Sequence, residues 1–257
     1  MADELLQNEP QNAPASAKNK LEEHPLMTGD ALGMAEKDWH DPREGMDLPR
    51  KKIVVLVSGG GTNLQALIDA QNRGELGGGR ITCVISSRPD AYALVRAKDN
   101  GIPTRVIQRK AFPSVEAYSA AMLEAFYEEY ADLIVQAGFM TILDKTICRA
   151  YPNKMMNVHP ALIPSFCGKG FYGLHVHEAA LAKGVKVTGA TVHFVNEVCD
   201  GGPIILQQAV AIEQDDTPET LQRRVMEQAE WKILPEAVRL FCEDKLSVRD
   251  GKVYIEE

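Results

Sequence analysis

The sequence predicts an α/β domain with an open, mostly parallel sheet and helices on both faces. Three observations predict it. Short, continuous apolar runs such as Ile53-Val54-Val55-Leu56-Val57 have the form of strands buried on both sides. Segments with helical apolar spacing alternate with those runs, the cadence of strand–helix–strand units. A glycine-rich turn, Ser58-Gly59-Gly60-Gly61, stands where the first run hands over to the first helical segment.

The elements follow in order. Residues 51–58 read as a buried strand and 62–68 as a helix. Residues 81–86 form the next strand, 92–100 the next helix and 104–107 a short strand. Residues 115–130 form a long amphipathic helix, with Tyr118, Met122, Ala125 and Phe126 at helical spacing. Leu133-Ile134-Val135 is another buried strand, 144–149 a short helix, and 155–159 a strand that ends on a histidine. Residues 189–195 and 204–210 are two strands with only a loop between them, which marks an antiparallel pair near a sheet edge. Residues 221–242 carry a long helical pattern with a break expected at Pro235. The chain closes on a hairpin whose turn is Asp250-Gly251.

Bulk properties exclude several function classes. The 257 residues suffice for a full core, and 45% hydrophobic with 25% charged residues is ordinary globular composition. A net charge of −8 argues against broad binding to nucleic acid or anionic membrane. No apolar run reaches the roughly 20 residues that span a bilayer. Five scattered cysteines (Cys83, Cys148, Cys167, Cys199 and Cys242) form no C-x-x-C pair, so a reducing cytoplasmic setting is expected. Residues 1–50 are rich in Pro, Asn, Ala, Glu and Asp and read as a disordered extension, with Trp39 the one candidate anchor. Their acidic start resembles neither a secretory signal nor a transit peptide. Residues 51–257 are the folded domain.

Two motifs carry chemistry. The first is Asn157-Val158-His159-Pro160, completed by Asp200 in Cys199-Asp200-Gly201-Gly202-Pro203. Asn157 and His159 share one face of a strand. An amide offers N–H donors to an oxyanion, an imidazole shuttles protons near neutral pH, and a carboxylate orients it. Against this, strand-end histidines and loop aspartates commonly serve only local hydrogen bonds. The second is Ser58 to Asn63. It lacks the third small residue of a dinucleotide fingerprint, since Leu64 stands there, and it lacks the Lys-Ser/Thr of a P-loop. What remains is a site for a single phosphate at a helix N-terminus, with Thr62 and Asn63 side chains adding donors, or a plain tight turn. His193 lies on the strand leading to Asp200 and reads equally as cleft-facing or as a buried, hydrogen-bonded residue. His175-Val176-His177 invites a metal reading with His159 and Asp200, but the spacing matches no strong zinc pattern; the two histidines are expected in a loop before a helix, with His177 placed equally well near that helix's N-terminus. No metal site is expected.

At these residues the chain resembles the phosphoribosylglycinamide formyltransferases, over about residues 52–238. The strongest segments are residues 53–67, Ala137-Gly138-Phe139-Met140, residues 157–164 and residues 189–206. The resemblance implies the formyltransferase fold, a Rossmann-like sheet. It implies transfer of a formyl group from 10-formyltetrahydrofolate, a co-substrate rather than a bound cofactor, to the glycinamide ribonucleotide amine. It places Asn157, His159 and Asp200 in the catalytic role and Gly61, Thr62 and Asn63 on the ribonucleotide phosphate. It sets Met140, Thr141, Ile142 and Leu143, with Asn157, Asn196, Glu197, Val198, Cys199 and Asp200, around the folate. Glu230 takes the place of a glutamate that contacts the ribose, although one extra residue separates it from Val225. Partners are then small molecules only, with no nucleic acid or membrane, and the protein a monomer or homodimer.

Two departures stand out. Residues 165–172 intervene before Gly173-Leu174-His175, a glycine-rich insertion beside the site that reads as a lid. Val115 replaces a basic folate contact, leaving Arg109 or Lys110 to compensate. The nearest rival is formyltetrahydrofolate deformylase, a hydrolase with the same catalytic set. That family has His-His-Ser where this chain has His159-Pro160-Ala161, and it carries an N-terminal regulatory domain for which residues 1–50 are too short and polar. A methionyl-tRNA formyltransferase would need an RNA-binding domain and a basic surface. A non-catalytic binding module is disfavoured by the intact Asn157, His159 and Asp200.

Overall fold

The computed structural model describes residues 51–256. The expected disorder of residues 1–50 and the Trp39 anchor lie outside the described residues.

Seven strands form one sheet in the order β3-β2-β1-β4-β5-β6-β7. They are β1 (Lys51–Val57), β2 (Gly79–Ser86), β3 (Thr104–Val106), β4 (Leu133–Gln136), β5 (Met155–His159), β6 (Val187–Phe194) and β7 (Ile204–Ala211). β1 to β5 pair in parallel, while β5–β6 and β6–β7 are antiparallel. The doubly apolar runs are therefore the inner parallel strands, and β6–β7 is the antiparallel pair at the edge. β1 contributes Ile53, Val55 and Val57 to one hydrophobic layer and Val54 and Leu56 to the other. That split is the period-2 alternation of a strand buried on both faces.

The first layer packs α1 (Thr62–Asn72), α2 (Tyr92–Asp99), α6 (Pro218–Val225) and α7 (Trp231–Cys242) against the sheet. The second packs α3 (Val115–Glu128) and α4 (Lys145–Ala150), through Tyr118, Met122, Phe126 and Ile147. Each such large apolar side chain contributes about 1.5–3 kcal/mol on burial. Local chemistry sets the helix starts. Ser114 caps α3 through the Ala117 N–H, and Asp144 caps α4 through the N–H groups of Thr146 and Ile147. Each cap stabilises by about 1 kcal/mol. β8 (Leu246–Arg249) and β9 (Lys252–Ile255) form the expected hairpin, with positive φ at Asp250 and Gly251.

Two expectations need correction. Pro235 does not break the last helical pattern; it lies inside a continuous α7. The break is a π turn at Met226–Glu230, where the Trp231 N–H reaches back five residues to the Met226 carbonyl. His175 is not in a loop but in the first turn of α5 (Leu174–Lys183), together with His177, whose alternative placement near a helix N-terminus is the one found. Among the described residues no helix is long and apolar enough to cross a membrane.

Strand order reverses direction at β1, whose neighbours are β2 on one side and β4 on the other. In open α/β sheets the crevice beyond the strand C-termini at such a point is where ligands bind. The glycine loop follows β1 there, and residues 137–143 follow β4.

Candidate active site

β5 holds Asn157 and His159 on one face, and the antiparallel register sets Asn157 opposite His193 and His159 opposite Thr191. The Asn157 Nδ2 lies 3.3 Å from His193 Nε2. His193 Nδ1 lies 2.8 Å from the Phe194 carbonyl, which can only accept, so Nδ1 carries a proton. Thr191 donates to the Ala161 carbonyl at 2.7 Å and accepts from the Ile163 N–H, fixing the turn beyond His159.

Asp200 reaches this face from the loop after β6. That turn needs a left-handed φ of 53° at Asp200. It also needs Gly202, where an added Cβ would fall 1.7 Å from the Phe194 carbonyl oxygen. The carboxylate lies 3.6 Å from His159 Nδ1 and 3.7 Å from His193 Nε2. Gly168, in the insertion, donates its N–H to Asp200 Oδ2 at 2.8 Å. Burial pushes Asp200 up, but His193, the Gly168 N–H and His159 outweigh it and hold the carboxyl below its ordinary value.

His159 is nearly fully buried. Its Nε2–H donates to the Phe166 carbonyl at 2.8 Å, again from the insertion. A neutral ring then turns its Nδ1 lone pair toward a carboxylate; a proton on Nδ1 makes that contact attractive. Burial lowers the His159 pKa, with Asp200 and the Phe166 carbonyl opposing it. The imidazole is thus neutral at rest and sits beside a carboxylate that favours its protonated form.

The other expected residues divide. Ser58 Oγ accepts from the Met140 N–H at 2.8 Å and bonds Ser87 Oγ at 2.7 Å, tying the end of β4 to the glycine loop. Met140, Ile142 and Val198 are exposed apolar side chains, and Thr141 is half-buried. Leu143 is instead packed in the α3–α4 layer, because its spacing puts it next to Ile147 and Tyr151 rather than the crevice. Asn196 caps its own turn by accepting from the Val198 N–H, and Glu197 is engaged by Arg149 at 2.6 Å. Cys199 is exposed, with its Sγ 3.8 Å from Asp200 Oδ2. Val115 is exposed at the start of α3. Arg109 donates to the Phe112 carbonyl and stands over the Tyr118 ring.

In the glycine loop Gly61 has φ 72° and caps α1, and an added Cβ would lie 2.6 Å from that of Ala93. Side-chain donors at this loop are directed inward, contrary to expectation. Thr62 Oγ1 donates to the Met226 sulfur at 3.6 Å, and Asn63 Nδ2 donates to Glu230 Oε2 at 2.6 Å. The groups left to meet an anion at this loop are the backbone N–H groups at the start of α1. Glu230 stands at the end of the π turn. Burial raises the Glu230 carboxyl to about 7, with the Asn63 hydrogen bond opposing.

Sequence reasoning gave the Ser58 hydroxyl no role of its own, missed the Gly168 N–H and left His193 undecided. Alternation along β6 puts Thr191 and His193 on one face and was the available signal; the backbone contacts of the insertion left none. His177 is fully buried beside α5's start, both ring nitrogens lack partners, and burial pushes it down to about 4. Among the described residues no three His, Cys, Asp or Glu side chains are grouped to hold a metal ion.

The formyl transferase family profile matches residues 51–238. A phosphoribosylglycinamide formyltransferase of Haemophilus influenzae is 41% identical over 206 residues, which is 80% of this chain and 94% of that protein. The crystal structure of glycinamide ribonucleotide transformylase 1 from Symbiobacterium toebii superposes with a TM-score of 0.76 at 42% identity, over 80% of this chain and 94% of that one. A formyltetrahydrofolate deformylase from Pseudomonas syringae pv. tomato gives a TM-score of 0.71 at 30% identity, over 80% of this chain but 66% of its own.

Proposed function

The chain belongs to the formyl transferase family, and from that premise we infer that it moves a formyl group from 10-formyltetrahydrofolate to the amine of 5-phosphoribosylglycinamide, a step of purine biosynthesis. The observation that carries the reading is that His159 and Asp200 come together, with Asn157 on the same strand face, at the C-terminal end of β5, the same edge of the sheet on which the glycine loop follows β1.

The proposed chemistry follows from the geometry. The loop's backbone N–H groups hold the ribonucleotide phosphate, and Glu230 beside Asn63 accepts from ribose hydroxyls. Met140, Ile142 and Val198 offer an apolar surface to the folate rings. The neutral amine attacks the formyl carbon, and the carbonyl oxygen becomes an oxyanion. Asn157 Nδ2 and the His159 Nε2–H donate to it; one such donor lowers an acyl-transfer barrier by roughly 2.7–4 kcal/mol. Asp200 takes up the amine proton through water, general acid–base help of about 10²–10⁴-fold. That proton passes on to N10 as the C–N10 bond breaks, and tetrahydrofolate leaves as the amine. Small molecules are then the only substrates, the setting cytoplasmic, and the protein a monomer or homodimer.

The hydrolase alternative uses the same three residues with water as acceptor. A glycine loop built for a phosphate and Pro160 after His159 favour an amine-bearing ribonucleotide. The test measures tetrahydrofolate production with and without phosphoribosylglycinamide. Acceptor-dependent formation supports transfer; equal formate release without acceptor overturns it.

A further inference from the structure

We propose that residues 165–172 are an autoinhibitory latch, whose backbone stands in for the two reacting groups and which the formyl donor displaces on binding. The His159 Nε2–H donates to the Phe166 carbonyl at 2.8 Å. Two residues on, the Gly168 N–H donates to Asp200 Oδ2 at 2.8 Å. In the proposed chemistry the Nε2–H faces the formyl oxygen and Asp200 takes the amine proton. The insertion thus offers a carbonyl to the donor and an N–H to the acceptor, the polarity that the substrates would bring. Nε2 carries a single hydrogen, so the Phe166 carbonyl has to leave before the formyl oxygen can take it. The identity of the displacing ligand rests on the formyl-transfer reading; the closed latch does not.

The way the insertion is held fits a part that opens. Among the described residues none of 165–172 is buried, and none joins either hydrophobic layer. A segment with few buried apolar contacts opens at low cost in free energy. The chain is fastened just before it, where Gln207 Nε2 donates to the Ile163 carbonyl at 3.0 Å and Thr191 accepts from the Ile163 N–H. Within the insertion the Phe166 and Phe171 rings meet edge to face at 6.4 Å, and the Phe171 N–H donates to the Gly168 carbonyl at 3.1 Å. Phe166 adopts a φ of 49°, disfavoured for a large side chain, and Gly168 a φ of 88°, which glycine tolerates. Strain of this kind persists where surrounding contacts hold it, and here those contacts are with His159 and Asp200.

A latch and a lid differ in sign. A ligand that binds only the open state has its apparent affinity reduced by the fraction of chains that are open. Loosening a latch therefore tightens donor binding. Loosening a lid that closes over the donor weakens it.

Two substitutions loosen it to different degrees. Gly168→Pro removes the N–H and cannot adopt a φ of 88°. Gly168→Ala keeps the N–H and strains the backbone, and its Cβ meets nothing within 4 Å. The full chain and both variants are treated with diethyl pyrocarbonate, which acylates uncharged imidazole, and the modified histidines are located by peptide mass. His159 should resist in the wild type and react at least about tenfold faster in Gly168→Pro, with Gly168→Ala between them. His175, exposed at the start of α5, should react alike in all three and serves as the reference. The KM for 10-formyltetrahydrofolate should fall in the same order, by at least about tenfold in Gly168→Pro. Where Gly168→Pro does not fold, Gly168→Ala carries both comparisons. His159 equally slow in every form, His159 as reactive as His175 in the wild type, or a donor KM that holds or rises overturns the latch. If no form transfers formyl, the acylation order alone decides the latch, and the functional reading falls instead.

Discussion

Replacing Glu230 with Gln isolates one buried proton. Glu230 is 5% exposed, and burial raises its carboxyl from 4.5 to about 7. Its hydrogen-bond partner, Asn63, has an Oδ1 without a partner, so a protonated Glu230 has an acceptor available once the amide turns over. Each tenfold change in proton affinity is worth about 1.4 kcal/mol, so the shift corresponds to about 3 kcal/mol. The folded chain holds this proton more tightly than the unfolded chain. The stabilisation is therefore complete below pH 4.5 and is lost as pH rises through about 7. Glu230→Gln keeps the shape and the Asn63 contact and removes the titration. Urea unfolding of both proteins should show similar stability near pH 4.5, and the variant more stable by about 3 kcal/mol near pH 8.5. All other titrating groups are shared, so the difference between the two curves belongs to Glu230. Parallel curves across that range would refute the buried, proton-holding Glu230. The functional counterpart has the opposite sign. On the proposed function ribose hydroxyls would donate to the carboxylate form, so the KM for the ribonucleotide should fall as pH rises through about 7 and stay flat in the variant.

Gly61→Ala forces a side chain into φ 72° and against Ala93, whereas an added Cβ at Gly60 meets nothing within 4 Å. The first should cost about 2–5 kcal/mol in urea unfolding and raise the ribonucleotide KM, and the second should leave stability within about 1 kcal/mol. His177 has a folded pKa of about 4 against an ordinary 6.5, so wild-type stability is full above 6.5 and falls by about 3 kcal/mol as pH drops through 4. His177→Leu should lose that acid-side slope in thermal melts, and an unchanged slope refutes the neutral buried ring. His159→Ala and Asp200→Asn should keep wild-type circular dichroism while formyl transfer falls at least about 10²-fold; wild-type-like turnover by either removes them from the chemistry.

What the sequence revealed and what it hid have physical causes. β1 and β4 were legible because strands buried on both faces need apolar residues at every position. The β6–β7 pair was legible because a loop too short for a crossover helix forces antiparallel pairing. Asn157 and His159 were legible as a pair because strand alternation depends only on spacing, and Asp200 joined them as the carboxylate that could orient the imidazole, from a turn-rich loop. The insertion's place beside the site was legible but its contacts were not: they reach His159 and Asp200 through the Phe166 carbonyl and Gly168 N–H, backbone groups that carry no mark of residue type. The inward turn of Thr62 and Asn63 was hidden for a related reason, since their partners Met226 and Glu230 lie far along the chain.

The C-terminal helix shows how a spacing irregularity and a supposed breaker exchange roles. Pro235 removes one N–H and crowds the carbonyl four residues back, a cost of about 3 kcal/mol in an isolated helix. In α7 it is flanked by Ile233, Leu234, Ala237 and Val238, all buried against the sheet, and that packing keeps the helix whole. The extra residue between Val225 and Glu230 has no such neighbour to absorb it by sliding, because Leu221, Val225 and Ala229 are already fixed in the same core. A π turn is the helical form that takes up one additional residue without ending the helix. It keeps α6 and α7 continuous with the core and still brings the Glu230 carboxyl to 2.6 Å from Asn63. Deleting Glu227 or Gln228 should therefore convert the turn to regular α-helix. If the π turn serves only to keep α7 in register, the carboxyl should then stay on Asn63 and the pH-dependent KM should survive the deletion.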